Sequence, residues 1–213
     1  MPVEARPESI LTARRNPELT RQRLMEAAVK LFAAKGRDGT SVGEICQAAG
    51  VNCRMIYHYF DSKDGLYMAV LEHVYGSIRN IALTADAHTQ SLATYIETIT
   101  ERYFRFLQTN PEFVALLRWE NASGAEGIRQ LDLDNFRKAF TNATSRELDQ
   151  QNGQSLKTEK ILLIILTCCS LCGHYFSNQA SMSSALRVDL SDPEFAEQWL
   201  THIKKVAISN FCA

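Results

Sequence analysis

No run of about 18 uncharged apolar residues, the minimum for a membrane-spanning helix, occurs in this 213-residue chain. The nearest stretch, Ile161 to Cys172, is closed by Gly173 and His174, so a buried helix is expected there instead. Glu4, Glu8 and scattered arginines stand ahead of Leu24 with no apolar run, which predicts no secretory signal, no membrane partner and a cytoplasmic location. Strand signals are also nearly missing, because no clear period-two stretch lies between turn residues. Charge of one sign is not in excess. The net charge is −1, at 46% apolar and 22% charged residues, as in an ordinary globular chain. The six cysteines, Cys46, Cys53, Cys168, Cys169, Cys172 and Cys212, form no paired CxxC units, and reduced, core-filling thiols are expected. Surrounding Leu, Ile and Thr residues make Cys168, Cys169 and Cys172 packing residues with raised pKa values rather than a metal or redox site. No nucleophile–base pair and no phosphate-binding glycine loop are apparent. Cys172 and His174 sit two residues apart on a helix and point roughly 200° away from each other, so they cannot act together. These gaps predict a non-enzyme with no cofactor and no metal.

What remains is helical, with apolar residues recurring at spacings of three and four. Residues 1–18, holding Pro2, Pro7 and Pro17 among mixed charges, read as a disordered arm. A first helix is expected from a Thr20 cap, with Leu24, Ala27, Ala28, Leu31 and Phe32 inward, stopping at Gly36. Either Thr40 or Ser41 then caps a short second helix ending at Gly50. A third short helix is expected over about Asn52 to Phe60, and either Asp61 or Ser62 caps a fourth that reaches about Ala82. Further helices are expected around Leu92–Leu107, Phe113–Glu120, Ile128–Leu148, Leu156–Ala180 and Pro193–Phe211, with a Ser-rich linker between the last two. The fold class is therefore all-α, with about nine helices.

The short helix, glycine turn and short helix at residues 41–60 have the proportions of a helix-turn-helix. At 100° per residue, Ile56, Tyr59 and Phe60 group on one side of the third helix. Cys53, Arg54, Tyr57 and His58 group on the other, offering groups suited to a DNA groove: an arginine can bond two guanine acceptors and a tyrosine can donate to phosphate. The charge distribution fits such a role. Residues 1–80 carry a net +2 and residues 81–213 a net −3. Arg14 and Arg15 stand where a basic arm would reach a minor groove, although a solvated tail is the simpler reading.

The segment Leu19–Tyr75 resembles the DNA-binding domain of the TetR/AcrR family. Ala28, Leu31, Phe32, Gly36, Thr40, Ile45, Ala48, Gly50, Val51, Tyr57, Tyr59, Phe60, Lys63 and Leu66 carry the likeness. It covers about a quarter of the chain, and the rest is similar only in its helical layout and length. The resemblance implies that Thr40, Ser41, Tyr57 and Lys63 touch phosphate and that Asn52 takes a cap position usually held by Ser or Thr. Cys53, Arg54 and Met55 depart from the family's usual residue types, so no operator can be carried over. Arg54 becomes the expected base reader, with phosphate contact as its alternative.

The resemblance further implies a homodimer that binds double-stranded operator DNA as a repressor and is released by an unknown small-molecule effector. The expected domains are residues 19–64 for DNA binding and 65–213 for ligand sensing and dimerisation. Tyr103, Phe104, Trp119, Phe140 and His174 are the candidate ligand contacts, with Arg118 and Glu120 as further polar candidates. The last two helices, carrying Leu162, Leu163, Ile165, Leu166, Trp199, Ile203 and Val206, are expected to pair with a partner as a four-helix bundle. The alternative is a helix-turn-helix dimer that works without a small molecule.

Overall fold

A computed structural model describes residues 17–84, 91–134, 138 and 158–211, and it divides into two units, Met1–Val70 and Leu71–Ala213. Eight α-helices are present among the described residues: α1 (Pro17–Lys35), α2 (Val42–Ala49), α3 (Arg54–Phe60), α4 (Lys63–Thr84), α5 (Leu92–Thr109), α6 (Pro111–Ala122), α7 (Thr158–Leu186) and α8 (Pro193–Phe211).

In the first unit α1 begins three residues before Thr20, the expected cap. Pro17 opens it because its missing N–H would be unpaired in a first turn anyway. Leu24, Ala27, Ala28, Phe32 and Ala33 are buried along one face, and the Phe32 ring meets Tyr67 of α4 edge-on at 5.0 Å. Ser41 rather than Thr40 caps α2, in a reciprocal box in which its hydroxyl receives the Glu44 N–H and the Glu44 carboxylate receives the Ser41 N–H. Gly50 ends α2 at φ 65°, a left-handed turn that costs a residue with a Cβ about 1–2 kcal/mol. The chain then enters α3, whose Ile56 and Phe60 are buried. Gly65 lies so close to α3 that a Cβ there would fall 2.0 Å from the Phe60 carbonyl oxygen.

In the second unit α5 packs on α7 and α8. Tyr95, Ile96, Ile99, Tyr103, Phe104 and Leu107 are all buried along α5. Phe104 meets Phe176 of α7 at 4.8 Å, and Tyr175 stacks on Trp199 of α8 at 6.0 Å. Arg105 and Glu101 of α5 reach across to Glu197 and Lys204 of α8 as ion pairs.

Two expectations change here. A helix was expected to start at Ile128, but Ile128–Gln130 is a single 3-10 turn followed by extended Leu131. Buried Glu120 accounts for that, because its carboxylate accepts the Ile128 N–H at 2.9 Å and holds the chain in a turn after α6. Beyond Leu131, Asp132, Leu133, Asp134 and Lys138 are described, and the remainder of that expected helix lies outside the described residues. The expected Ser-rich linker is also partly helix, since α7 continues through Ser181, Ser183 and Ser184 to Leu186. Serine tolerates this because its hydroxyl can bond within the helix, as Ser181 does to the Asn178 carbonyl at 3.0 Å. Among the described residues no helix is long and apolar enough to cross a membrane.

Candidate nucleic-acid interface and sensor cleft

The seven residues of α3 sort cleanly by side. Arg54, Tyr57 and His58 are exposed, Ile56 and Phe60 are buried, and Met55 and Tyr59 are half-buried. Positions 54, 57 and 58 fall within an arc of about 100°. Tyr57, 55% exposed, is a large aromatic with no core to fill. Asn52 accepts the Arg54 N–H on its side-chain oxygen at 2.9 Å, a local turn that leads the chain into α3. His58 packs edge-on against Tyr59 at 4.8 Å.

Three members of the expected DNA-contacting set are placed differently. Thr40 is 1% exposed, and its hydroxyl donates to the Gly36 carbonyl at 2.8 Å and the Leu31 carbonyl at 3.2 Å. It fastens the turn after α1 and does not present a hydroxyl outward. The Lys63 ammonium donates to the carbonyls of Arg37 and Thr40 at 2.9 and 3.1 Å, so two of its three N–H groups brace that same turn. Cys53 is half-buried, and its thiol points back to the Val42 carbonyl at 4.0 Å instead of joining the outward face. Ser41 remains exposed at the N-terminus of α2.

α1 packs against both α2 and α3. The capping box is extended by Lys35 of α1, whose ammonium donates to Glu44 at 2.5 Å. The Lys35 and Ser41 hydrogen bonds hold the Glu44 carboxyl at about 2, well below the ordinary 4.5. The S-x-x-E spacing of Ser41 and Glu44 is the sequence signature of this box and singles out Ser41 over Thr40 as the cap.

In the second unit the candidate ligand contacts do not converge. Tyr103 and Phe104 are core residues, and burial pushes the Tyr103 phenol far above its usual range. Trp119 is 43% exposed on α6, and His174 is exposed on α7 with its Nδ1 3.1 Å from the Asn178 amide. Both are therefore surface residues, because helix rotation turns them away from the aromatic core. Phe140 lies outside the described residues. Arg118 is exposed, and Glu120 is committed to the turn already described. What the sequence did not reveal is an open cleft of about 690 Å³ between α4 and α5. Ile81 and Phe106 give it an apolar floor, and Asn80, Arg102 and Thr109 add polar groups.

The cysteines of α7 are packing residues. The Thr100 hydroxyl lies 3.1 Å from the Cys168 sulfur, and burial raises all three thiols, Cys169 up to about 12. No group of three or more metal-ligating side chains occurs among the described residues.

A capped short helix, a left-handed glycine turn and a second short helix with polar groups outward define a helix-turn-helix protein whose second unit is a helical bundle. Residues 24–70 match the family model "Bacterial regulatory proteins, tetR family", and residues 93–206 match "Tetracyclin repressor-like, C-terminal domain". The chain is 34% identical over 198 residues to the HTH-type transcriptional repressor NicS of Pseudomonas putida, covering 89% of this chain and 91% of that one. The fold is similar to that of the fatty acid degradation regulator FadR from Bacillus halodurans, with a TM-score of 0.66 at 17% identity, covering 91% and 96% of the two chains. It is also similar to a TetR family transcription regulator from Marinobacter aquaeolei, with a TM-score of 0.61 at 18% identity over 88% and 95%. The chain belongs to the TetR family and is a transcriptional regulator, not an enzyme. Regulators of this family bind operator DNA and act as dimers.

Proposed function

We propose that this chain is a cytoplasmic, homodimeric repressor that reads its operator through α3 and leaves it when a small molecule binds the second unit. Residues 19–64 carry DNA binding, and residues 65–213 carry sensing and dimerisation. Arg54 reads a base edge, with His58 beside it, while Tyr57 and Ser41 hold phosphate. Lys63 acts from behind, keeping the turn between α1 and α2 in place. Its remaining N–H and the N-terminus of α4 are available to an anion.

The observation that carries this reading is the joint exposure of Arg54, Tyr57 and His58 on one side of a seven-residue helix whose other side is buried. Exposed Leu162, Leu163 and Leu166 on α7 support a second copy as partner, since clustered exposed leucines mark an association surface. Ile203 is fully buried within its own chain and takes no part in that contact. The α4–α5 cleft replaces the scattered Trp119 and His174 as the preferred place for an effector. Its size lies within the usual range for small-molecule sites.

Selection of genomic duplexes by the purified protein tests the reading. A partly palindromic site with half-sites about 34 Å apart is expected, because two recognition helices must enter successive major grooves. Affinity should fall linearly with added salt on logarithmic axes as phosphate contacts release counterions. Recovery of no preferred site would sink the proposal.

A further inference from the structure

Two of the chain's thiols are brought together inside the helix-turn-helix. Cys46, 3% exposed, sits in the middle of α2, one turn after Val42 and on the same face. Cys53 immediately precedes α3, and its sulfur lies over that face, 4.0 Å from the Val42 carbonyl oxygen. The Val51 N–H bonds the Cys46 carbonyl at 3.1 Å and folds the turn back on α2. Burial first, then the neighbouring Cys53 thiol, pushes the Cys46 thiol up to about 12. The environments differ in the way a reacting and a resolving thiol differ, since Cys53 is half-exposed and Cys46 is enclosed.

We propose that Cys46 and Cys53 form an oxidisable thiol pair that a peroxide closes to a disulfide, lowering the affinity of the helix-turn-helix for DNA. The Cys53 sulfur attacks one oxygen of hydrogen peroxide, breaking the O–O bond, giving Cys53 sulfenic acid and releasing water. The Cys46 sulfur then displaces hydroxide from that sulfenic sulfur, forming the S–S bond, and a second water leaves with the Cys46 proton. Together the two thiols lose two hydrogens and two electrons, and the peroxide is reduced to two waters. A small dithiol reverses the bond by exchange. Closing it swings the Cys53 sulfur from Val42 toward Cys46. The Cys53 carbonyl accepts the Ile56 N–H at 3.1 Å, so the movement drags the first turn of α3, which carries Arg54.

The effect on DNA rests on the regulator reading above, while bond formation itself does not. Trypsin cuts after Arg37 and Arg54, so residues 38–54 leave as one fragment holding both cysteines. After stoichiometric peroxide, the expected fragment lacks two hydrogens and takes up no alkylating agent until dithiothreitol is added. The treated protein should bind a duplex selected by the reduced protein on the order of tenfold more weakly, the scale of one lost bidentate base contact, and recover with dithiothreitol. Cys46→Ala and Cys53→Ser should each abolish the reversible part of that change, measured as the ratio of affinities before and after peroxide. Two alkylatable thiols in the treated fragment would overturn the pairing. So would the same reversible loss in Cys46→Ala, and a linked protein with unaltered affinity would overturn the effect on DNA. If the reduced protein selects no duplex, the regulator reading fails on its own and the fragment mass still decides the pairing.

Discussion

At the scale of single residues, charge near DNA divides into side chains that face outward and side chains already engaged. Arg54 is exposed with no core role, so Arg54→Ala is expected to cost about 1–3 kcal/mol on the selected duplex and to relax preference at one base pair. Binding measured across duplexes substituted at each position checks this, and uniform weakening at every position would make Arg54 a phosphate clamp. Lys63 is different, because its ammonium spans the Arg37 and Thr40 carbonyls. Lys63→Met keeps the stem and removes those bonds, and a bond from a charged donor contributes about 1.5–3 kcal/mol net of exchange with water. A lower melting temperature together with equal weakening on all duplexes is expected. Unchanged stability with a flatter salt dependence would instead assign Lys63 to phosphate alone. Residue type and spacing place Arg54 and Lys63 in the recognition region. Only the fold shows that one is presented and the other engaged, since this depends on carbonyls more than twenty residues away from Lys63 in sequence.

At the scale of elements, α2 leads into α3 through the Gly50 turn, and its start is electrostatically held. Ser41→Ala removes one half of the capping box and is expected to cost about 1 kcal/mol in urea unfolding, while Gly at that position would cost only a few tenths. The Glu44 carboxyl is depressed from 4.5 to about 2 in the folded chain. A depressed acid contributes stability that is present above its unfolded value and is lost as pH falls through the folded one. The stabilisation from this group should therefore disappear between about pH 4.5 and pH 2. Glu44→Gln should flatten that part of the stability–pH curve, and an unaltered curve would show that the box does not persist in solution. Most element positions were readable from apolar spacing and caps, as at α2, α5 and α8. The failures have local causes that sequence spacing does not carry. Glu120 turns inward and captures the Ile128 N–H, and Ser181 bonds the Asn178 carbonyl of its own helix, which runs on to Leu186.

At the scale of the whole molecule, α4 is a single 22-residue helix, about 33 Å long, with Lys63 at its start and the cleft residues Ser77, Asn80 and Ile81 near its other end. We propose that this helix couples effector and operator binding. A molecule that fits one α4 setting better than another shifts the dimer toward it, with a coupling of about 1–3 kcal/mol, or several-fold to a hundredfold in affinity. Reciprocity makes this measurable. A metabolite identified by thermal shift is titrated into free protein and into the protein bound to its selected duplex. Weaker binding to the complex, by the same factor as the metabolite weakens DNA binding, is expected. Equal affinities would show that the occupied cleft does not control DNA, and no thermal shift across a broad metabolite set would favour a dimer without an effector.

The sequence by itself determined the helical class, the helix-turn-helix and its outward polar face. Each of these is encoded within a few turns of chain, where the 3.6-residue period and the glycine and serine caps act directly. Tertiary structure alone decided which polar groups remain available, as with buried Thr40 and engaged Lys63, and where the second unit leaves space. Aromatic content pointed to Tyr103, Phe104, Trp119 and His174 together, yet the first two fill the core and the other two face outward. An aromatic side chain fills a core or lines a cavity with the same residue type. The choice is made by which helices come to lie beside it, and the α4–α5 cleft exists because of that packing, with no signature in the sequence of either helix.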